Sequence, residues 1–189
     1  MKNAALITGS AKRIGKKIAQ FLASEDYDVA IHYNKSDSEA KKVADKLIKY
    51  GITTSIFKAD LNDEKSVLKL IHNVQNEFSN LNLLINNASI FVESSLVETD
   101  EELLNRTLNI NFKAPFILSR EFAKKCTEGQ IINILDTRIS KNSTSHFVYS
   151  ISKKALAEFT KLAAVELAPG VRVNGIAPGL ILPPHSTFS

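Results

Sequence analysis

AALITGSAKRIG, residues 4–15, joins an apolar run of strand length to a turn holding Gly9 and Gly15. Ile14, Ile18, Phe21 and Leu22 then share one helical face, so the stretch reads as strand, tight loop and helix. Where a strand feeds a helix through such a turn, free backbone N–H groups and the positive end of the helix dipole favour a phosphate. A two-glycine turn taken alone is equally a plain strand-to-helix connection. The rest of the chain has to decide between the two.

The alternation continues along the chain. DVAIHY (28–33) and TTSIFKA (53–59) are expected as strands two and three, with Ala40, Val43, Ala44 and Leu47 on one face of a helix between them. Val67, Leu70, Ile71, Val74 and Phe78 mark the next helix, and NLLI (82–85) follows as strand four. A long helical region over 100–125 precedes QIINIL (130–135), and a helix over 145–167 precedes VRVNGIA (171–177). Runs apolar on both faces suit strands covered by helices on both sides, and hence a parallel sheet. The expected fold is a doubly wound, Rossmann-like α/β domain, three-layer αβα, with strand order 3-2-1-4-5-6 and a single domain over residues 1–189. Pro178, Pro183 and Pro184 mark an irregular exit after the last strand.

Composition narrows the function classes. With 189 residues, 44% of them hydrophobic and 23% charged, the chain is long enough for one soluble domain with a real core. The net charge of +4 is spread along the chain without a basic arm, so nucleic acid is not an expected partner. No apolar stretch reaches the roughly 18 residues of a membrane span, and the N-terminal apolar run is too short for a signal-peptide core. A cytoplasmic protein with no membrane partner is expected. The single cysteine, Cys126, excludes an internal disulfide and most thiolate metal sites, and reads as a small apolar residue near a helix end.

Sheets of this kind bind ligands at the carboxyl ends of their strands, near the switch point between strands one and four. A fold that selects NAD usually places an acid about 20 residues beyond the glycines, on the ribose 2′-hydroxyl. HYNKS (32–36) has none; Lys35 and Ser36, with Arg13, offer the cationic and hydroxyl donors that a 2′-phosphate needs, pointing to NADP(H). Lys35 as the start of a solvated helix fits the same residues. In YSISK (149–153), Tyr149 and Lys153 lie one helical turn apart on one face. An ammonium near a phenol lowers its pKa from about 10, which would make Tyr149 a proton donor to a substrate undergoing reduction.

TGSAKRIG, the Ala59-Asp60 pair, NNAS (86–89), Asn111, YSISK and Pro178-Gly179 together resemble the short-chain dehydrogenase/reductase family in its single-domain form, over residues 4 to about 183. The resemblance implies an NAD(P)-dependent oxidoreductase in which Tyr149 is the acid/base, Lys153 contacts the ribose and lowers the tyrosine pKa, and Asn111 holds a water in the proton relay. It also implies Asp60, with Leu61, at the adenine, and Asn87, with Ala88 and Ser89, beside the cofactor. Gly9, Arg13, Ile14, Gly15, Asn34, Pro178 and Gly179 complete the cofactor-binding set, and a homo-oligomer, tetramer or dimer, is implied as well.

Four departures from the common family pattern agree with one another. Arg13 stands at the middle glycine of the first motif, Asp136 in NILDTR stands at the catalytic serine, Ser89 replaces the last glycine of NNAG, and HYNKS follows strand two. These resemble the pteridine reductase branch, which includes dihydromonapterin reductases. That resemblance implies Arg13 reaching both cofactor phosphates and a bound pterin, Asp136 working with Tyr149 in protonation, and Phe91 of NNASIF stacking on the pterin ring. A reductase of carbonyl or 3-oxoacyl groups is the alternative within the enzyme class. Family members usually continue past PGLILPPHSTFS through a substrate-covering loop, a helix and a final strand. The nucleotide half is therefore expected to survive better than the substrate half, and a catalytically silent nucleotide-binding protein stands as the alternative outside the enzyme class.

Overall fold

The computed structural model describes residues 2–142 and 144–181. Six strands, β1 (Ala4–Ile7), β2 (Asp28–Tyr33), β3 (Thr54–Lys58), β4 (Leu81–Asn86), β5 (Gly129–Ile134) and β6 (Val171–Ile176), form one sheet in the order β3-β2-β1-β4-β5-β6. Every neighbouring pair is parallel. The crossovers carry α1 (Arg13–Ser24), α2 (Asp37–Leu47), α3 (Glu64–Glu77), α4 (Glu101–Leu108), α5 (Ala114–Lys125) and α6 (Phe147–Glu166). The expected layers and strand order are both present.

β1 shows why the sheet needs helices on both faces. All four of its residues are buried: Ala4 and Leu6 pack with Ile71, Val74, Leu118 and Phe122 of α3 and α5, whereas Ala5 and Ile7 pack with Ala19, Leu22, Val43 and Leu47 of α1 and α2. The alternation is the two-residue period of a strand with a hydrophobic layer on each side. Burying Leu6 and Ile7 contributes roughly 1.5–3 kcal/mol each.

The helical region expected over 100–125 is interrupted. Residues Asn109–Lys113 form a π-helical turn between α4 and α5, with Asn111 fully buried inside it. The wider turn inserts a residue and aims Asn111 at its neighbours below, a feature that often accompanies functional positions. β5 begins at Gly129 and ends before Leu135, α6 lies inside its expected range, and Cys126 caps α5 at its C-terminal end. Pro178 and Gly179 follow β6, while Pro183 and Pro184 lie outside the described residues. Among the described residues no helix is long and apolar enough to cross a membrane.

Candidate active site

The carboxyl ends of β1 and β4 meet around Thr8. Its Oγ1 accepts hydrogen bonds from the backbone N–H groups of Asn87 and Ala88, both at 2.9 Å, while Asn87 Nδ2 donates back to the Thr8 carbonyl at 2.9 Å. Gly9 adopts φ +66, a left-handed conformation that costs glycine little. Gly15 is required by space, since a Cβ there would stand 2.5 Å from the Gly9 carbonyl oxygen and 2.6 Å from Asn87 Nδ2. The loop is thus folded tightly onto the start of α1. That helix has neither a side-chain cap nor an acid in its first turn, so its leading N–H groups are suited to an anion. Arg13 is exposed and holds φ +48, uncommon for a residue with a side chain, and Ile14 beside it is half-buried.

His32 ties this loop to the neighbouring strands. Its Nδ1 accepts the Gly9 N–H at 2.9 Å, and its Nε2 lies 3.2 Å from the Ala59 carbonyl. These partners require a neutral ring with its proton on Nε2, and burial pushes the pKa down to about 4. Next to it, Asn34 and Ser36 are half-buried and Lys35 is exposed at the start of α2. Two acids follow, and each is engaged: Asp37 Oδ1 accepts from the Tyr33 hydroxyl at 2.7 Å and Oδ2 pairs with Lys41, while Glu39 pairs with Lys12. Asp60 is exposed, turning its Oδ1 to the Asn62 N–H at 2.9 Å, whereas Leu61 joins the core. Asn34 and Asp60 face a common cleft of about 470 Å³ between β3 and α3.

The other end of the site is built by NNASIF, the π-helical turn and α6. Asn111 Oδ1 accepts from Ser89 Oγ at 3.1 Å and from the Ile90 N–H at 2.9 Å; its Nδ2 donates to the Ile90 carbonyl at 3.0 Å and to Ser152 Oγ at 3.1 Å. Its amide therefore pins residues 89–90 to α6. Tyr149 Oη donates to Asp136 Oδ2 at 2.8 Å, and Asp136 Oδ1 accepts the Arg138 N–H at 2.8 Å. Lys153 is buried one turn beyond and donates to the Ile134 carbonyl at 2.8 Å.

The electrostatics differ from the expectation that Lys153 lowers the Tyr149 pKa. Burial, and then the hydrogen bond to the Asp136 carboxylate, push the phenol well above its ordinary range. The Lys153 Nζ stands 5.8 Å from the Tyr149 ring centroid, and burial brings its own pKa down to about 8. The cation that opposes the rise at Tyr149 is Arg138, whose guanidinium lies 3.9 Å from Asp136 Oδ2.

Phe91, which the resemblance makes a stacking surface for a pterin ring, is surrounded by other rings and charges. Its ring is half-exposed, yet the His146 imidazole already stacks on it at 4.0 Å and 15°, Tyr149 meets it edge-on at 4.7 Å, and Arg138 Cζ sits over it at 5.1 Å. A short bridge holds the two segments together, with the Phe147 N–H donating to the Ser94 carbonyl at 2.9 Å.

NNASIF therefore connects the two ends of the site in one run, from Thr8 through Asn111 to Tyr149. Arg13, Gly15 and Asn87 gather at one end and Asn111, Asp136, Tyr149, Lys153 and Phe91 at the other, while Pro178 and Gly179 follow the last residue of β6, Ile176. Thr8, His32, Ser152, Arg138 and His146 were not singled out from the sequence. Thr8, His32, Arg138 and Ser152 lie within TGSAKRIG, HYNKS, NILDTR and YSISK, and His146 lies three residues before YSISK, but their partners are set only when the strands are brought together.

A profile described as short chain dehydrogenase matches residues 3–188, and the chain belongs to that family. It is 31% identical over 186 residues to a 3-oxoacyl-[acyl-carrier-protein] reductase of Staphylococcus aureus, covering 96% of this chain and 76% of that protein. It is 35% identical over 189 residues to the chloroplastic NADPH-dependent aldehyde reductase 1 of Arabidopsis thaliana, covering 95% of this chain and 66% of that one. Among solved structures, FolM alternative dihydrofolate reductase 1 of Brucella suis, in complex with NADP, superposes with a TM-score of 0.91 at 37% identity, covering 96% of this chain and 76% of that chain.

Proposed function

We propose that this short-chain dehydrogenase family member is an NADPH-dependent reductase of a planar heterocycle of the pteridine class. The observation that carries the reading is the 2.8 Å hydrogen bond from Tyr149 to Asp136 beside the Phe91 ring. A hydroxyl held on a carboxylate, with an aromatic surface at its edge, suits delivery of a proton to a ring nitrogen. The likeness to the NADP-bound alternative dihydrofolate reductase supports the same reading.

The donor set fits the cofactor. The uncapped α1 N-terminus with Gly9, Arg13, Ile14 and Gly15 accommodates phosphates, and Asn34, Lys35 and Ser36 surround a 2′-phosphate with donors. Asp60 and Leu61 would hold the adenine end, and Asn87, Ala88, Ser89, Pro178 and Gly179 would hold the rest of the dinucleotide. NADPH, when bound, supplies the hydride. Tyr149 gives the proton from Oη to the substrate nitrogen, Asp136 orients that hydroxyl, and Lys153 holds a positive charge beneath it. Asn111 keeps residues 89–90 against α6, so that Phe91 and Tyr149 stay in contact. Exposed Phe116, Leu162 and Val165 on α5 and α6 support assembly into a homo-oligomer.

A carbonyl or 3-oxoacyl reductase is the second reading, favoured by the Staphylococcus aureus relative. NADPH oxidation followed in parallel with dihydrobiopterin, dihydromonapterin, a 3-oxoacyl thioester and a simple ketone separates them. Turnover of a pterin that disappears in Tyr149→Phe is the expected result. Turnover confined to ketone or thioester overturns the pteridine assignment, and NADPH binding without turnover of any of the four points to a silent nucleotide-binding protein.

A further inference from the structure

Arg138 and His146 stand within the candidate site, and neither has a role in the reading of NILDTR or YSISK given above. Arg138 sits in the short helical turn Thr137–Ser140, two residues after Asp136, which accepts the Tyr149 hydroxyl. Its backbone N–H holds one oxygen of Asp136 at 2.8 Å, and its guanidinium stands 3.9 Å from the other. The same guanidinium lies over Phe91 at 5.1 Å, so one residue spans the distance between the acid and the aromatic surface. His146 stacks nearly parallel on one face of that ring at 4.0 Å, so a planar ligand enters at the ring's edge or in place of the imidazole.

We propose that Arg138 is the specificity-determining residue of this site, recognising the acceptor edge of a planar heterocycle stacked near Phe91. The inference rests on the reductase reading given above. A guanidinium over an aromatic ring keeps its N–H groups in a fixed plane, where they can donate together to adjacent ring-nitrogen and carbonyl acceptors. Its pairing with Asp136 at 3.9 Å is too long for a strong charge-assisted hydrogen bond, which leaves donor capacity for a ligand. An aliphatic ketone presents a single acceptor, which Tyr149 alone satisfies, and offers Arg138 no second acceptor to bind. Selection between the two substrate classes follows from the number and planarity of their acceptors.

The test compares the wild type with Arg138→Met, which keeps the length and loses the charge, and with Arg138→Lys, which keeps the charge and loses the planar fork. Binding of oxidised pterin to each NADP-loaded protein is read from quenching of the pterin's own fluorescence, beside NADP affinity and the kinetics of dihydropterin and ketone reduction. Expected are a pterin Kd raised about tenfold or more in Arg138→Met and by less in Arg138→Lys, a dihydropterin KM raised in parallel, a ketone KM that stays within about threefold, a kcat that shifts alike for both substrates through the Tyr149 proton, and unchanged NADP affinity. Equal pterin Kd in wild type and Arg138→Met overturns the inference even if the wild type reduces pterins. A parallel loss of NADP affinity overturns it as well, as a structural effect. Arg138-dependent pterin binding without pterin turnover upholds it while the reductase reading fails, and a wild type that neither binds nor reduces pterins overturns both.

Discussion

The Gly9 N–H donates to His32 Nδ1 at 2.9 Å, so the conformation of the glycine loop depends on an imidazole lone pair from the neighbouring strand. The bond exists only while His32 is neutral. Its folded pKa of about 4 lies below the ordinary 6.5, so between those values the unfolded chain binds the proton first and stability falls as pH falls. The loss accumulates to roughly 3 kcal/mol by pH 4. Urea unfolding across this range is expected to show that decline, and His32→Gln is expected to flatten it; an unchanged slope in the variant contradicts the assignment.

Lys153 carries the opposite kind of cost. Burial lowers its pKa from 10.5 to about 8, so at neutral pH the folded protein holds an ammonium it would release more readily than the unfolded chain. Lys153→Met is expected to raise Tm at pH 7 by about 2 °C or more while abolishing reduction. The stability gap between variant and wild type narrows from pH 8 to pH 10.5, where the unfolded lysine loses its proton as well. A variant less stable than the wild type at pH 7 contradicts this account.

Tyr149 and Asp136 are expected to separate in their pH behaviour. Tyr149→Phe removes the proton donor and should lower kcat by about 10²–10⁴. In Asp136→Asn the carboxylate that helps raise the pKa of both Tyr149 and Lys153 is gone, so the alkaline limb of the kcat/KM profile, where Lys153 loses its proton first, moves to lower pH. An unmoved alkaline limb would show that Asp136 does not govern this proton.

Cofactor choice is expected to depend on the residues around the end of β2 and the start of α1. Arg13→Ala combined with Lys35→Ala should weaken NADPH by roughly tenfold more than NADH, because only the former presents a 2′-phosphate to those cations. Equal losses, measured by fluorescence titration of the two reduced nucleotides, would refute the 2′-phosphate role.

The sheet order, the two helical layers and the positions of the glycine turn, Asp136, Tyr149 and Lys153 were legible in the sequence. Each is written locally, in periodicity or in the spacing of a few neighbouring residues. The proton chemistry was not, because it depends on which charges converge. Tyr149 and Lys153 are four residues apart, yet the carboxylate that dominates the phenol comes from the turn after β5 and the opposing cation from two residues further on. The spacing alone led to a lowered tyrosine pKa, and burial reversed the sign. Phe91 was likewise visible as an aromatic after NNAS, but only the pairing of residue 94 with residue 146 brings His146 onto its ring. Chain order determines which groups are available to this site; tertiary packing decides which are desolvated and which face one another, and hence which will bind a proton.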